Sequence, residues 1–149
     1  MFGLNVSGCK SQYWLLVAVA VLLSSCATMD KSECLNAHWQ SIGYEDGTKG
    51  YSGSRLGKYR KSCAKYNVSP DLELYNQGRQ QGLLEWCKPS NGFYQGTRGS
   101  IYNGVCPKEL EPDFQQAMRE GRAVYEYRRE VKDQRAGITR LYKELDGIK

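Results

Sequence analysis

The sequence predicts a mainly α protein: a small helical domain with a short β-ribbon or loop insert, two disulfides and a long C-terminal helix. Three observations predict this class. Apolar residues recur at helical spacing between residues 34 and 87, four cysteines follow an export leader, and residues 112–145 have a helical pattern. We divide the chain into a signal peptide at 1–25, a lipidated tether at 26–33, a disulfide-bridged domain at 34–127 and a projecting helical continuation at 128–149.

The N-terminal segment predicts export and a lipid anchor. Its apolar run from Leu15 to Leu23 is shorter than the ~20 residues that a membrane-spanning helix needs, and it ends in a small pair of serines. Leu23-Ser24-Ser25-Cys26 resembles the lipobox of bacterial lipoproteins, which implies removal of residues 1–25 and acylation, with palmitate, at Cys26. Ala27 follows in place of aspartate, which resembles an outer-membrane address facing the periplasm. A short uncleaved anchor is the alternative.

The charge balance is basic but evenly distributed. The formal net charge of +5 includes Lys10, so a chain without its leader carries +4. An exported protein does not routinely meet nucleic acid, and acidic lipid headgroups, phosphorylated lipopolysaccharide or wall carboxylates are more plausible counterparts. Interleaved acids and bases are equally consistent with a role in solubility alone.

Cys34, Cys63, Cys87 and Cys106 predict two disulfides. No pair has the spacing of a zinc knuckle and the only histidine is His38, so we expect neither a metal nor a cofactor. Four cysteines allow three pairings, which helix geometry can rank.

The first two helices favour one pairing. Ser32 can cap a first helix with an apolar stripe, and a second helix follows a glycine-rich turn at 47–53. An antiparallel hairpin of these helices would bring Cys34 beside Cys63. The stripes comprise Leu35, Trp39 and Ile42, then Leu56, Tyr59, Cys63 and Tyr66.

The third helix favours the other pairing. Ser69-Pro70-Asp71 is a start signal, with serine as the cap, and this helix ends near Cys87. Cys87 then pairs with Cys106 and closes a loop. Glycines at 92, 96, 99 and 104 argue against a helix between them, and the flanking aromatic and apolar residues suggest a two-stranded ribbon.

The last helix carries an apolar seam, and several helices carry small residues four apart. The seam runs with alternating four-three spacing through Ala117, Gly121, Val124, Arg128, Val131, Arg135, Ile138, Tyr142 and Leu145. Its second half, after about Arg128, either projects towards a partner or lies on the surface of the same monomer.

The spacing of small residues predicts close packing between helices, or more weakly one helical motif used more than once. The pairs that stand four residues apart are Gly43 with Gly47, Gly78 with Gly82, and Ala117 with Gly121.

These motifs resemble a family of small proteobacterial lipoproteins known only as a domain of unknown function. The resemblance covers residues 34–125 and implies architecture and export, without catalytic residues or a substrate. It rests on Trp39-x-x-x-Gly43-Tyr44-x-Asp46-Gly47, Ser69-Pro70-Asp71, Tyr75-x-x-Gly78-x-x-x-Gly82-Leu83, Trp86-Cys87, Phe93-x-x-Gly96-x-x-Gly99-x-x-Tyr102-x-Gly104-Val105-Cys106-Pro107 and Phe114.

The functional prediction is a non-enzymatic envelope protein that acts by binding. Its partner is an envelope protein or peptidoglycan, the last helix is a candidate for self-association, and the terminal Lys149 is a candidate wall linkage. Candidate contact residues are Trp39, Tyr44, Phe93, Tyr94, Arg98 and Tyr102, because aromatic and arginine side chains dominate binding hot spots.

Two alternatives come from other classes. A glycan hydrolase would need a carboxylate pair drawn from Glu45, Asp46, Asp71 and Glu85. An inhibitor of a host lytic enzyme would use the ribbon as a rigid insert, although Arg98 has the wrong charge for basic lysozymes.

Overall fold

The structure, a computed structural model, describes residues 29–148 and has six helices and no strand in that range. The mainly α class and the long C-terminal helix are confirmed. None of the helices in the described range is long and apolar enough to cross a bilayer. The helices are α1 Lys31–Leu35, α2 Trp39–Thr48, α3 Arg55–Ala64, α4 Leu72–Trp86, α5 Pro89–Thr97 and α6 Glu111–Asp146.

Local capping sets where the first helices begin. Asp30, and not the predicted Ser32, caps α1, because Asp30 Oδ1 accepts from the Glu33 N–H while Glu33 Oε2 accepts from the Asp30 N–H. The chain leaves the helix after Leu35 and resumes at Trp39, so the predicted first helix is two helices. Asp71 caps α4 by accepting from the Leu74 N–H at 2.9 Å, so the capping residue is Asp71 and not the predicted Ser69.

Helices α2 and α4 pack in parallel at backbone contact. A Cβ on Gly43 would lie 2.0 Å from the carbonyl oxygen of Tyr75, and one on Gly47 would lie 2.3 Å from that of Arg79. Contacts advance in the same direction along both helices, so the two run parallel. The small residues four apart therefore serve close helix approach, as predicted.

Helices α5 and α6 repeat this arrangement where the sequence predicted a ribbon. That prediction was wrong, because Gly92 and Gly96 are packing positions and not strand breaks. A Cβ on Gly92 would lie 2.4 Å from the Phe114 carbonyl oxygen, and one on Gly96 would lie 2.2 Å from that of Met118. Pro89 occupies the first turn of α5, and close packing offsets the helical cost of glycine, about 1 kcal/mol each.

The two helix pairs form an internal repeat that the glycine spacing only hinted at. Residues 39–51 align without gaps to 88–100, with identical serine, threonine and three glycines, and 72–86 align to 111–125. The glycine that follows each first helix has positive φ and faces an aromatic ring at the equivalent place: Gly50 faces Trp86, and Gly99 faces Tyr125. The chain thus contains the same parallel helix pair twice, once as α2 with α4 and once as α5 with α6.

Each pair has its own disulfide and its own apolar core. Cys34–Cys63 joins the first unit and Cys87–Cys106 the second, the pairing that helix geometry favoured. The first cluster of buried residues contains Cys34, Trp39, Leu56, Cys63 and Tyr75. The second contains Leu83, Cys87, Cys106, Phe114 and Met118.

Candidate interaction surface

Helix α6 is longer than the repeat requires. Its counterpart α4 ends at Trp86, which aligns with Tyr125, so residues 126–146 of α6 have no equivalent in the first unit. The buried residues of α6 are Phe114, Met118 and Gly121, all within the repeat. The side chains of residues 126–146 are exposed, so this second half extends beyond the packed part of the helix.

The second half of α6 presents an exposed apolar face, which we call the α6 stripe. Tyr127 is 73% exposed, and Leu141 and Leu145 are each 60% exposed. Scattered exposed apolar residues are normal, but a series of them along one helix face indicates an interaction site. The α6 stripe comprises the partly buried Val124 at its base and the exposed Tyr127, Val131, Ile138, Leu141 and Leu145.

The α6 stripe is not a continuation of the face that packs on α5. At 3.6 residues per turn, its centre lies roughly 130° around the helix from the centre of the core-facing residues Phe114, Met118 and Gly121. If α6 were simply longer than the helix it packs against, its apolar residues would continue along the same helix face. The change of face at Val124 indicates a second, separate contact.

The two edges of the α6 stripe carry opposite charges. Arg128 and Arg135 flank one edge, and Glu130 and Glu144 flank the other. Six residues also line an open, mainly apolar depression at the base of the stripe: Ala123, Val124, Tyr127, Arg128, Val131 and Arg135. Tyr127 and Leu141 are exposed apolar side chains of this face, whereas the predicted seam used the neighbouring Arg128 and Tyr142.

The predicted contact residues do not form one surface. Trp39 is only 8% exposed and belongs to the first core. Tyr102 is half-buried against Phe114, where its hydroxyl accepts from the Cys106 N–H at 3.0 Å and where burial raises its pKa. These two side chains have structural roles.

Four of the predicted contact residues are exposed. Tyr44 on α2 and Phe93 on α5 occupy equivalent repeat positions and are 44% and 43% exposed. Tyr94 lies next to Phe93, and its hydroxyl accepts from Arg98 at 2.9 Å. The structure therefore joins Tyr94 to Arg98 and leaves Tyr44 on the other unit.

Asp46 is the centre of a buried polar network. Its carboxylate, which is nearly inaccessible, accepts from the hydroxyls of Tyr75 at 2.9 Å and Tyr59 at 3.0 Å, and pairs with Arg55 Nε at 3.0 Å. Burial raises the pKa of Tyr75 well above its ordinary value, and the hydrogen bond to Asp46 adds to the rise. Burial also raises the pKa of Tyr59, although the Arg55 hydrogen bond opposes it. The network ties α3 to the α2–α4 pair.

The other carboxylates considered for hydrolysis have local partners. Glu45 pairs with Lys49 at 3.5 Å, Asp71 caps α4, and Glu85 pairs with Lys88. His38 is exposed where α2 begins. Within residues 29–148, no cluster of metal-ligating side chains occurs. Cys26 and Lys149 lie outside the described residues.

These features define a class of disulfide-bridged, all-helical protein built from two parallel, glycine-packed helix pairs. The chain belongs to the family described as Protein of unknown function (DUF2799), whose model matches residues 38–123. That region contains both glycine-packed pairs and stops one residue before Val124, where the α6 stripe begins. No curated protein and no solved structure matches the chain.

Proposed function

We propose that this protein is a lipid-anchored, non-enzymatic component of the outer membrane that acts by binding a protein helix along the α6 stripe. The observation that carries the proposal is the row of exposed apolar side chains on the part of α6 that the repeat does not need. An isolated helix is marginally stable in water, so a partner that covers this face stabilises the helix as well as the contact.

The anchor and the helix together fix the reach of the binding face. Four residues separate Cys26 from α1, and a chain of that length spans at most ~14 Å. The domain therefore lies against the membrane that holds the lipid. The extension at 126–146 is about 30 Å long at 1.5 Å per residue, so the stripe meets partners close to the same membrane.

The anchor is tested by metabolic labelling with palmitate and by membrane fractionation. Wild type should incorporate label and sediment with the outer membrane, whereas Cys26→Ser should do neither. Equal labelling of both proteins would contradict lipidation at Cys26.

The binding face is tested by photo-cross-linking in intact cells. A photoreactive amino acid is placed at Leu141 in the α6 stripe, and at the adjacent Arg140, which points about 150° from the centre of the stripe, as the matched control. Discrete adducts at position 141 and their absence at 140 support a binding face. No adduct at either position, from protein that is present at wild-type level, would overturn the proposal.

A further inference from the structure

We infer that the occupant of the α6 stripe is the same stripe of a second copy of this chain, in a parallel, in-register, two-stranded coiled coil. The inference rests on the proposed function, which makes the stripe a binding face, and it names the partner. Three features of residues 124–145 carry it: heptad spacing, residue shape and edge charge.

The spacing of the stripe is that of a heptad repeat. Core a positions fall on Val124, Val131, Ile138 and Leu145, and core d positions fall on Tyr127, Gln134 and Leu141. The first three a positions are β-branched, and Leu141 is at d. This distribution favours two parallel strands. Gln134 is the single polar residue in the seam, and its side-chain amide donates to Glu130 of the same helix at 3.3 Å.

The edge charges select the parallel orientation. In a parallel pair, each g position faces the e position of the next heptad on the other helix, so Glu130 faces Arg135 of the second copy, twice by symmetry. In an antiparallel pair, e positions meet e positions, so with Val131 opposite Gln134 of the second copy, Arg128 faces Arg135 twice, and Glu130 meets the uncharged Gly137. Like charges at these positions repel, so only the parallel arrangement is complementary.

The parallel orientation also suits two chains anchored at their N-terminal ends. Both copies would hold their lipids on one membrane and direct α6 the same way. In-register pairing then needs no rearrangement of the two domains relative to the anchor.

A cysteine cross-linking experiment on the full-length, membrane-bound protein tests the orientation. Leu145→Cys places a thiol at an a position near the end of the stripe, and Lys143→Cys places one two residues away at the opposite f position. Parallel pairing brings the two Leu145→Cys thiols together, whereas antiparallel pairing with Val131 opposite Gln134 of the second copy separates them by more than ~30 Å.

We expect mild oxidation to give at least about tenfold more disulfide-linked dimer for Leu145→Cys than for Lys143→Cys, because a disulfide needs Cβ atoms ~4 Å apart. Equal yields of the two variants, or the absence of dimer from both, would overturn the inference. The Leu141 photo-cross-link distinguishes the two proposals. An adduct only with a different protein removes the second copy and retains the binding function, whereas no adduct removes both.

A charge exchange tests whether the contact is specific. Glu130→Arg faces Arg135 with a like charge and should reduce the Leu145→Cys dimer severalfold, and adding Arg135→Glu should restore it. An unchanged yield in the single variant, or no restoration in the double variant, would contradict the assigned register.

Discussion

Gly78→Ala tests the close approach of α2 and α4, because Gly78 has less room than any other glycine in the described part of the chain. A Cβ at this position would lie 1.8 Å from the carbonyl oxygen of Gln40 and 3.0 Å from the amide nitrogen of Tyr44. Both are backbone atoms, so no side-chain rotation can relieve the clash. An ordinary contact begins near 3.4 Å, and the two helices must separate locally by about 1.6 Å.

The expected cost follows from three contributions. Overpacking a well-packed site costs about 1–3 kcal/mol and sometimes more, and the rigid partner places Gly78 at the upper end. Separation also stretches the hydrogen bond between Asp46 and Tyr75, which spans the same two helices. Alanine returns about 1 kcal/mol of helix propensity. We expect a net loss near 3 kcal/mol, or a fall in Tm of about 12 to 24 °C for a domain of this size.

The assay is thermal and urea unfolding followed by circular dichroism on the detergent-purified full chain. Gly57→Ala is the matched control, since Gly57 lies inside α3 with nothing within 4 Å of its added Cβ, and it should hold or raise Tm. If Gly78→Ala unfolds within about 0.5 kcal/mol of wild type, close helix approach does not stabilise this fold.

Three further predictions concern the buried network and the second disulfide. Asp46→Ala leaves two hydroxyls and a guanidinium without their carboxylate, so urea unfolding should show a loss of about 3 kcal/mol, against about 1 for Tyr59→Phe; equal losses would contradict this. Folding raises the pKa of Tyr75 above its ordinary 10, so its contribution is complete below pH 10 and declines above it. The stability advantage of wild type over Tyr75→Phe should therefore be constant from pH 8 to about pH 9.5 and shrink between about pH 10 and pH 11, and a constant advantage up to pH 11 would refute the reasoning. Replacing Cys87 and Cys106 with serine should cost about 3 kcal/mol for a separation of 19 residues, and the difference from wild type should vanish under reductant.

Helix content, the disulfide partners and the long C-terminal helix α6 could be predicted from the sequence because each depends on local pattern. Apolar periodicity located α3, α4 and α6, and cysteine positions relative to helix ends ranked the pairings. The bounds moved by a few residues where competing caps were present, as at Ser32 and Asp30, since a capping box with two reciprocal hydrogen bonds is stronger than a lone serine.

The sequence analysis missed helix α5 because its residues have low intrinsic helix propensity, and the helix is stabilised by its packing against α6. Glycine at 92 and 96 lowers intrinsic helix propensity, and only contact with α6 compensates for that cost. The alignment of 39–51 with 88–100 was the signal that would have found it, because a segment that aligns with α2 without gaps and shares its glycine positions is expected to be a helix. The contact site was equally hard to read, because Trp39 and Tyr102 have the chemistry of hot spots but are used in packing.

The positions of the cysteines explain how this chain holds helices parallel. Parallel neighbours need a long connection, which makes their pairing entropically costly, and their first residues lie at the same end. Cys34 and Cys63 precede α2 and α4, and Cys87 and Cys106 precede α5 and α6, so each disulfide joins the starts of one pair. The N-terminal ends of two parallel helices lie close together, so a disulfide can join them. In an antiparallel pair of these lengths, the same residues would lie at opposite ends. The disulfide thus shortens the effective connection between the two helices, and the glycine contacts between them stabilise the packed pair.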